Sequence, residues 1–355
     1  NSYNLDLKIF IPLSLFFCYL LWASNKYIKF EWLENIRNSP QTFHKKSTSR
    51  LGGIAVYLSL LITAVFFDQS QNYDFLRTAL LCSFPVFLTG LLDDLKLDIK
   101  PSLRIILMVP TPILFFYLLD ISVESLSVDF LDFLLQQEFI SLVFLIFAII
   151  GIINAFNIID GFNGLLLSYA LTILVSLILG YENENGMNWL TYMIAIFFAV
   201  LAVFIVNFPF GKIFLGDAGA YLIGALIPVG LIKYTFDNDF SPWFVLAILI
   251  YPVTEVMASI ARKVLIRGRS ALEPDGLHFH MLVYKKITKR IGFKKIKQRH
   301  FLVTLIILIF NFPFMILANY FKTETLILVL ICFWYVLAYL AVYFILFPKH
   351  IFKEK

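Results

Sequence analysis

Asp93 and Asp94 end an apolar run, residues 84–92, in a chain that is otherwise strongly hydrophobic. Carboxylates at the edge of such a run are costly to desolvate, so their company matters. Asn154, Asn157, Asp160 and Asn163 follow one another at a spacing of three, which on a helix sets them along one stripe. Gly161 and Gly164 beside them let backbone come close. Asp217 precedes another apolar run, and His278 and His280 lie in a long basic stretch. Cations flank each group: Lys96, Lys100 and Arg104 after the Asp pair, Lys45, Lys46 and Arg50 before Gly52 and Gly53, and Arg262, Arg267 and Arg269 before the histidines. Carboxylates among basic residues suit phosphate chemistry. Two anions must meet, and a divalent metal on oxygen ligands with several Lys or Arg can offset the charge.

The elements that carry these groups are membrane helices. The 355 residues are 60% hydrophobic and 15% charged, too apolar for a water-facing core, which excludes a soluble domain or a nucleic-acid binder. We read an all-α polytopic integral membrane protein of about eleven transmembrane helices, each long enough for roughly 30 Å of hydrocarbon. The spans fall near residues 5–23, 51–67, 77–92, 103–119, 139–156, 164–180, 189–208, 219–234, 242–261, 300–320 and 325–347. The first lacks a small-residue cleavage site and reads as a span, not a cleaved signal. All but four of the 29 Lys and Arg fall in alternate connections or the C-terminus, the exceptions being Lys8, Arg77, Lys233 and Lys322. Basic loops stay in the cytoplasm, so the N-terminus is expected outside and the C-terminus inside. The chain is then one domain, residues 1–355, whose cytoplasmic loops 24–50, 93–104, 157–163, 209–218 and 262–299 bring every polar group named above to one face.

Each group has a plainer alternative. An acidic pair at a helix end can be a solvated terminus, Asn and Gly at a span boundary can be packing, and a basic loop can be topology alone. His44, His300 and His350 read as interfacial residues, and Pro110 and Pro112 as kinks. Cys18, Cys82 and Cys332 sit in separate apolar runs as small hydrophobes. Glu255 lies inside a span with no obvious partner, Arg262 being too far along the helix, and is assigned a structural role.

Five segments in order resemble the polyprenyl-phosphate N-acetylhexosamine-1-phosphate transferases. They are Arg50-Leu51-Gly52-Gly53; Gly90-Leu91-Leu92-Asp93-Asp94; the stretch Asn154 to Leu165; the stretch Gly211 to Gly219; and Arg267-Gly268-Arg269-Ser270 through Pro274-Asp275 to His278-Phe279-His280. The resemblance implies transfer of an N-acetylhexosamine 1-phosphate from a UDP-sugar to undecaprenyl phosphate at the cytoplasmic face of a bacterial inner membrane. The products are a lipid diphosphate sugar and UMP, and the reaction would start a cell-surface glycan such as an O-antigen or cell-wall polymer.

Carried onto these residues, the resemblance makes Asp217 the principal metal ligand for Mg2+ or Mn2+, with Asp94 near metal and diphosphate. Asp93 resembles the base for the lipid phosphate, and Phe214 the aromatic that stacks on uracil. Asn157 and Asp160 resemble nucleoside and diphosphate contacts, and His278, His280 and Arg269 would bind sugar or diphosphate; Asn154, on the same stripe, and Lys100, after the Asp pair, are further candidate substrate contacts. The expected partners are the UDP-N-acetylhexosamine, undecaprenyl phosphate and membrane lipid, with a homodimer allowed. Two departures bear on the donor. Asn163 stands where many members carry Asp, and an amide takes no proton. Met281 stands where many members carry a further His, which points away from the phospho-MurNAc-pentapeptide branch. UDP-GlcNAc is the first choice, with UDP-QuiNAc and UDP-FucNAc as alternatives. From a different class, a cation-coupled secondary transporter would keep its carboxylates near the midplane on broken helices.

Overall fold

A computed structural model describes residues 48–66, 74–97, 99–181, 188–266, 276–290 and 296–347, together with Ser14, Leu15, Phe17 and Tyr19. The described residues are helical without a β-sheet. In chain order the helices are α1 (Gly52–Phe66), α2 (Asp74–Cys82), α3 (Phe84–Asp94), α4 (Pro101–Met108), α5 (Pro110–Leu118), α6 (Asp129–Leu135), α7 (Glu138–Ile159), α8 (Leu165–Leu179), α9 (Asn188–Asn207), α10 (Gly216–Asp237), α11 (Pro242–Ile248), α12 (Ile250–Ala261), α13 (Phe279–Arg290), α14 (Ile296–Tyr320) and α15 (Thr325–Leu346). Among these residues, six helices are long and apolar enough to cross a membrane, or eight if two bent pairs each count as one span. The protein is a multi-pass membrane protein. All but four positions of the expected first span lie outside the described residues, as do Lys45, Lys46, Arg267, Arg269, His44 and His350.

α10 forms the centre. Of its most apolar stretch, 89% is buried, against 39% for α7, and it packs on α1, α3, α7 and α11. Small residues permit this: Gly224 lies against Ile153 and Phe156 of α7, and a side chain at Gly90 of α3 would meet the Ala218 backbone at 2.6 Å. In lipid, where apolar burial drives little, such close approach supplies the packing energy. It also brings the end of α3 onto the start of α10.

Two expected spans are broken. The run 77–92 is α2 and α3, bent by 47°, and the run 242–261 is α11 and α12, bent by 75°. Proline explains both. Pro85 has no N–H for the Leu81 carbonyl, and Pro252 none for Ile248. The Tyr169 hydroxyl donates to the stranded Ile248 carbonyl at 2.9 Å, which satisfies it inside the bundle. Pro110 likewise starts a new helix, α5, after α4.

Candidate active site

The site is built on the first turn of α10. Gly216 opens that helix with φ +78°, and a side chain there would meet Asp94 Oδ2 at 2.5 Å. Only glycine tolerates both conditions. Asp94, the last residue of α3, reaches across and accepts from the backbone N–H of Asp217 (Oδ1, 3.0 Å) and of Ala218 (Oδ2, 2.9 Å). These are amides that a helix cannot satisfy from within, so a carboxylate from another helix caps α10.

A second strap arrives from the segment before α1. The Phe214 N–H donates to the Ser49 carbonyl (2.8 Å), the Gly52 N–H to Phe214 (3.0 Å) and the Gly53 N–H to Leu215 (2.7 Å). A side chain at Gly53 would sit 2.2 Å from the Gly219 nitrogen, so this pairing needs the glycine. Its effect is to hold Arg50 between two acids, with Nη1 3.3 Å from Asp94 Oδ1 and 3.7 Å from Asp217 Oδ1.

Asn157, in the last turn of α7, donates through Nδ2 to Asp217 Oδ1 at 3.0 Å. Asp160 ends that helix and lies in the field of Asp217, Arg50 and Asp94. Burial first, and then Asp217, push its carboxyl well above the usual carboxylate range, against the pull of Arg50. Asp93 pairs with Arg104 of α4 at 2.7 Å, and Arg104 also donates to the Tyr221 hydroxyl at 3.2 Å. Four acids from three separate helix ends therefore meet around two arginines.

The other expected residues divide. Asn154 shares the stripe of Asn157, but its amide turns back to the Ile150 carbonyl at 2.8 Å. Phe214 borders the site, with its backbone taken up by the strap. Lys100 begins α4 exposed and makes no ion pair with these acids; Arg104, one turn later, takes that place. Asn163 is buried with its amide against Gly211, away from any paired role with a carboxylate among the described residues. Arg269 lies outside the described residues.

His278 and His280 are buried, at 3% and 0% exposure. Glu255, also fully buried, is not the partnerless acid expected. It takes His278 Nδ1 (3.0 Å), the Phe279 N–H (3.1 and 3.2 Å) and the Tyr339 hydroxyl (3.2 Å). Arg262 instead pairs with the Tyr343 hydroxyl. His300 departs from its expected interfacial place: it is fully buried, edge-on to Phe162 at 5.0 Å.

No cluster of three His, Cys, Asp or Glu among the described residues forms a ready-made metal cage. Mg2+ does not need one, since one or two carboxylates with substrate phosphates and water complete its shell. The donor set fits such a site. Asp217 keeps 20% of its side chain exposed, whereas Asp94 is at 0% and already holds three donors.

Residues 76–235, which include all four acids, match the model for glycosyl transferase family 4. Over these residues the chain is similar to that family. It is 26% identical over 261 residues to the undecaprenyl-phosphate alpha-N-acetylglucosaminyl 1-phosphate transferase of Thermotoga maritima, covering 74% of this chain and 76% of that one. Identity to the protein of that name from Escherichia coli K12 is 29% over 271 residues, 74% and 70% of the two chains. A phospho-N-acetylmuramoyl-pentapeptide-transferase from Staphylococcus carnosus is 25% identical over 262 residues, 68% and 78% of the two. These similarities support a phospho-sugar transferase. The family expected from the five motifs is the one found.

Proposed function

We propose that this protein transfers N-acetylhexosamine 1-phosphate, GlcNAc 1-phosphate first, from a UDP-sugar to undecaprenyl phosphate at the cytoplasmic face of a bacterial inner membrane. The products are undecaprenyl-diphosphate-sugar and UMP. One observation carries the reading: Asp93, Asp94, Asp160 and Asp217 converge with Arg50 and Arg104 at helix ends. Transfer between two anions needs such mixed charge, and a lipid phosphate reaches it only at a membrane edge. A transporter would keep these acids near the midplane on broken helices. The names of the relatives from Thermotoga maritima and Escherichia coli favour undecaprenyl phosphate as acceptor and GlcNAc as the sugar.

In this scheme Arg104 attracts the lipid phosphate to Asp93, 2.7 Å away, and the Asp93 carboxylate takes the phosphate proton. The freed oxygen attacks the β-phosphorus of the UDP-sugar, and UMP leaves. Asn157 and Asp160 orient the nucleotide, with Phe214 beside uracil, and Arg50 draws the diphosphate toward Asp217. Asp217 would hold Mg2+ or Mn2+, with Asp94 behind it fixing the helix that carries Asp217; the metal when bound supplies charge screening of the diphosphate. QuiNAc or FucNAc nucleotides remain the alternative donors.

The eleven-span arrangement is part of the proposal. Six long helices, two bent pairs and the shorter apolar helices Gly52–Val65 and Leu165–Leu179, together with the apolar run 5–23, account for it. The functional test is UMP release and radiolabelled lipid from each UDP-sugar with undecaprenyl phosphate and Mg2+. Absence of lipid product with every UDP-amino sugar overturns the enzyme reading.

A further inference from the structure

Glu255 lies in none of the five segments that carry the resemblance, stands on the bent α12, and is fully buried. It nevertheless gathers three donors, as many as Asp94 does in the acid cluster. Its oxygens hold His278 Nδ1, the Phe279 N–H and the Tyr339 hydroxyl. The next tyrosine on the same face of α15, Tyr343, donates to the Leu277 carbonyl at 2.9 Å. Residues 277–279 are thus tied at three consecutive positions to α12 and α15.

The turn so fixed delivers His280. Its imidazole stacks parallel to that of His278, with ring centroids 5.5 Å apart and planes 9° apart, and stands edge-on to Phe162 at 5.6 Å. Its Nε2 would lie 2.8 Å from a side chain at Gly161, the residue after Asp160. Only a glycine leaves room for the ring there. On the other edge, Nδ1 meets the Tyr251 hydroxyl at 3.4 Å. When the phenol donates to that nitrogen, the ring carries its proton on Nε2. Burial keeps the ring neutral by lowering its pKa to about 3.

We infer that Glu255 is a positioning residue for transfer: it fixes His278 and the turn after it, so that His280 packs under Gly161 and sets where Asp160 stands. This rests on the proposed role of Asp160 at the nucleotide, and it gives the histidine pair a task other than direct sugar binding. The Nε2 of His280 is buried and has no hydrogen-bond partner among the described residues.

The test is a double-mutant cycle on the full chain in detergent, read both as UMP release from UDP-GlcNAc and as UMP affinity. Glu255→Ala should lower kcat/KM about 100-fold and Glu255→Gln, which keeps an acceptor for the amide, about 10-fold. In a His280→Ala background either change should add less than about two-fold, because both act through one network. The effect should appear in UMP affinity as well as rate, which loss of folded protein alone, corrected by active-site titration, does not produce. Additive losses, or wild-type kinetics in Glu255→Ala, overturn the inference. Should Glu255→Ala not fold, Glu255→Gln and Tyr339→Phe carry the same cycle, with smaller losses and the same non-additivity. A wild-type chain that binds UMP but transfers no GlcNAc phosphate overturns the donor assignment, while the UMP-affinity cycle still decides the role of Glu255.

Discussion

The two ends of α10 are built by opposite rules. At its first turn, Asp94, Asp217, Arg50 and, one layer out, Asp93 and Arg104 are crowded into a largely buried volume, and the helix is capped by a foreign carboxylate. At its last turn, about 33 Å away for 22 residues, Lys233 pairs with Asp237 at 2.8 Å along the helix surface, with side chains 28% and 31% exposed. A cavity of about 230 Å³ lies at that end, lined by Asp120, Ser122, Glu124, Lys233 and Phe236. At the first end the acids outnumber the arginines they pair with, and at the last an acid and a lysine are matched one to one. Stability alone favours the second arrangement, so the first reflects a requirement for an incoming ligand.

The sharpest way to break this contrast is to remove charge at the crowded end. Asp217→Ala should lower turnover by at least about 1000-fold and remove metal dependence, because diphosphate charge then goes unscreened. Steady-state UMP release across a Mg2+ titration checks it; retained metal dependence would move the ligand role elsewhere. Asp93→Asn should cost about 100-fold in kcat with UDP-sugar affinity within two-fold, since an amide accepts no proton. An equal loss of affinity would make Asp93 a binding residue.

Asp94→Ala separates the two functions of that end. It deletes the α10 cap, so it should cost about 1 to 3 kcal/mol of stability in addition to activity, as two amides lose their acceptor. Thermal melting in detergent measures the first, and turnover at low temperature the second. Asp217→Ala should lower the melting temperature by less than Asp94→Ala does, because Arg50 and Asn157 lose a partner while repulsion on Asp94 and Asp160 is relieved. A lower melting temperature for Asp217→Ala than for Asp94→Ala would refute the cap.

Much of this end could be read from residue order. Asp93, Asp94, Asn157, Asp160 and Asp217 were expected on one face, and they meet there. What composition hid was direction. Lys100 and Arg104 are one helical turn apart and chemically alike in a sequence, yet Pro101 starts α4 so that Arg104 faces Asp93. Asp94 capping amides 123 and 124 residues further along the chain is a tertiary event with no local signature. Neither was the Glu255 network visible, since its donors come from His278, Phe279 and Tyr339. The bends at residues 83 and 249 did have a signal, Pro85 and Pro252, which apolar length alone obscured.

The smallest expected effect lies at the opposite end, and it completes the comparison. Lys233→Ala breaks one i,i+4 pair whose partners are both partly exposed, worth at most about 0.5 kcal/mol after screening by solvent and salt. Turnover should stay within two-fold of wild type and the melting temperature within about 2 °C, a shift of that order being what a fraction of a kcal/mol produces in a chain of this size. A loss of activity comparable to that of Asp94→Ala would mean that the cavity beside Lys233 communicates with the acid cluster along α10. The two ends would then be one device, and the contrast between them a division of labour within it.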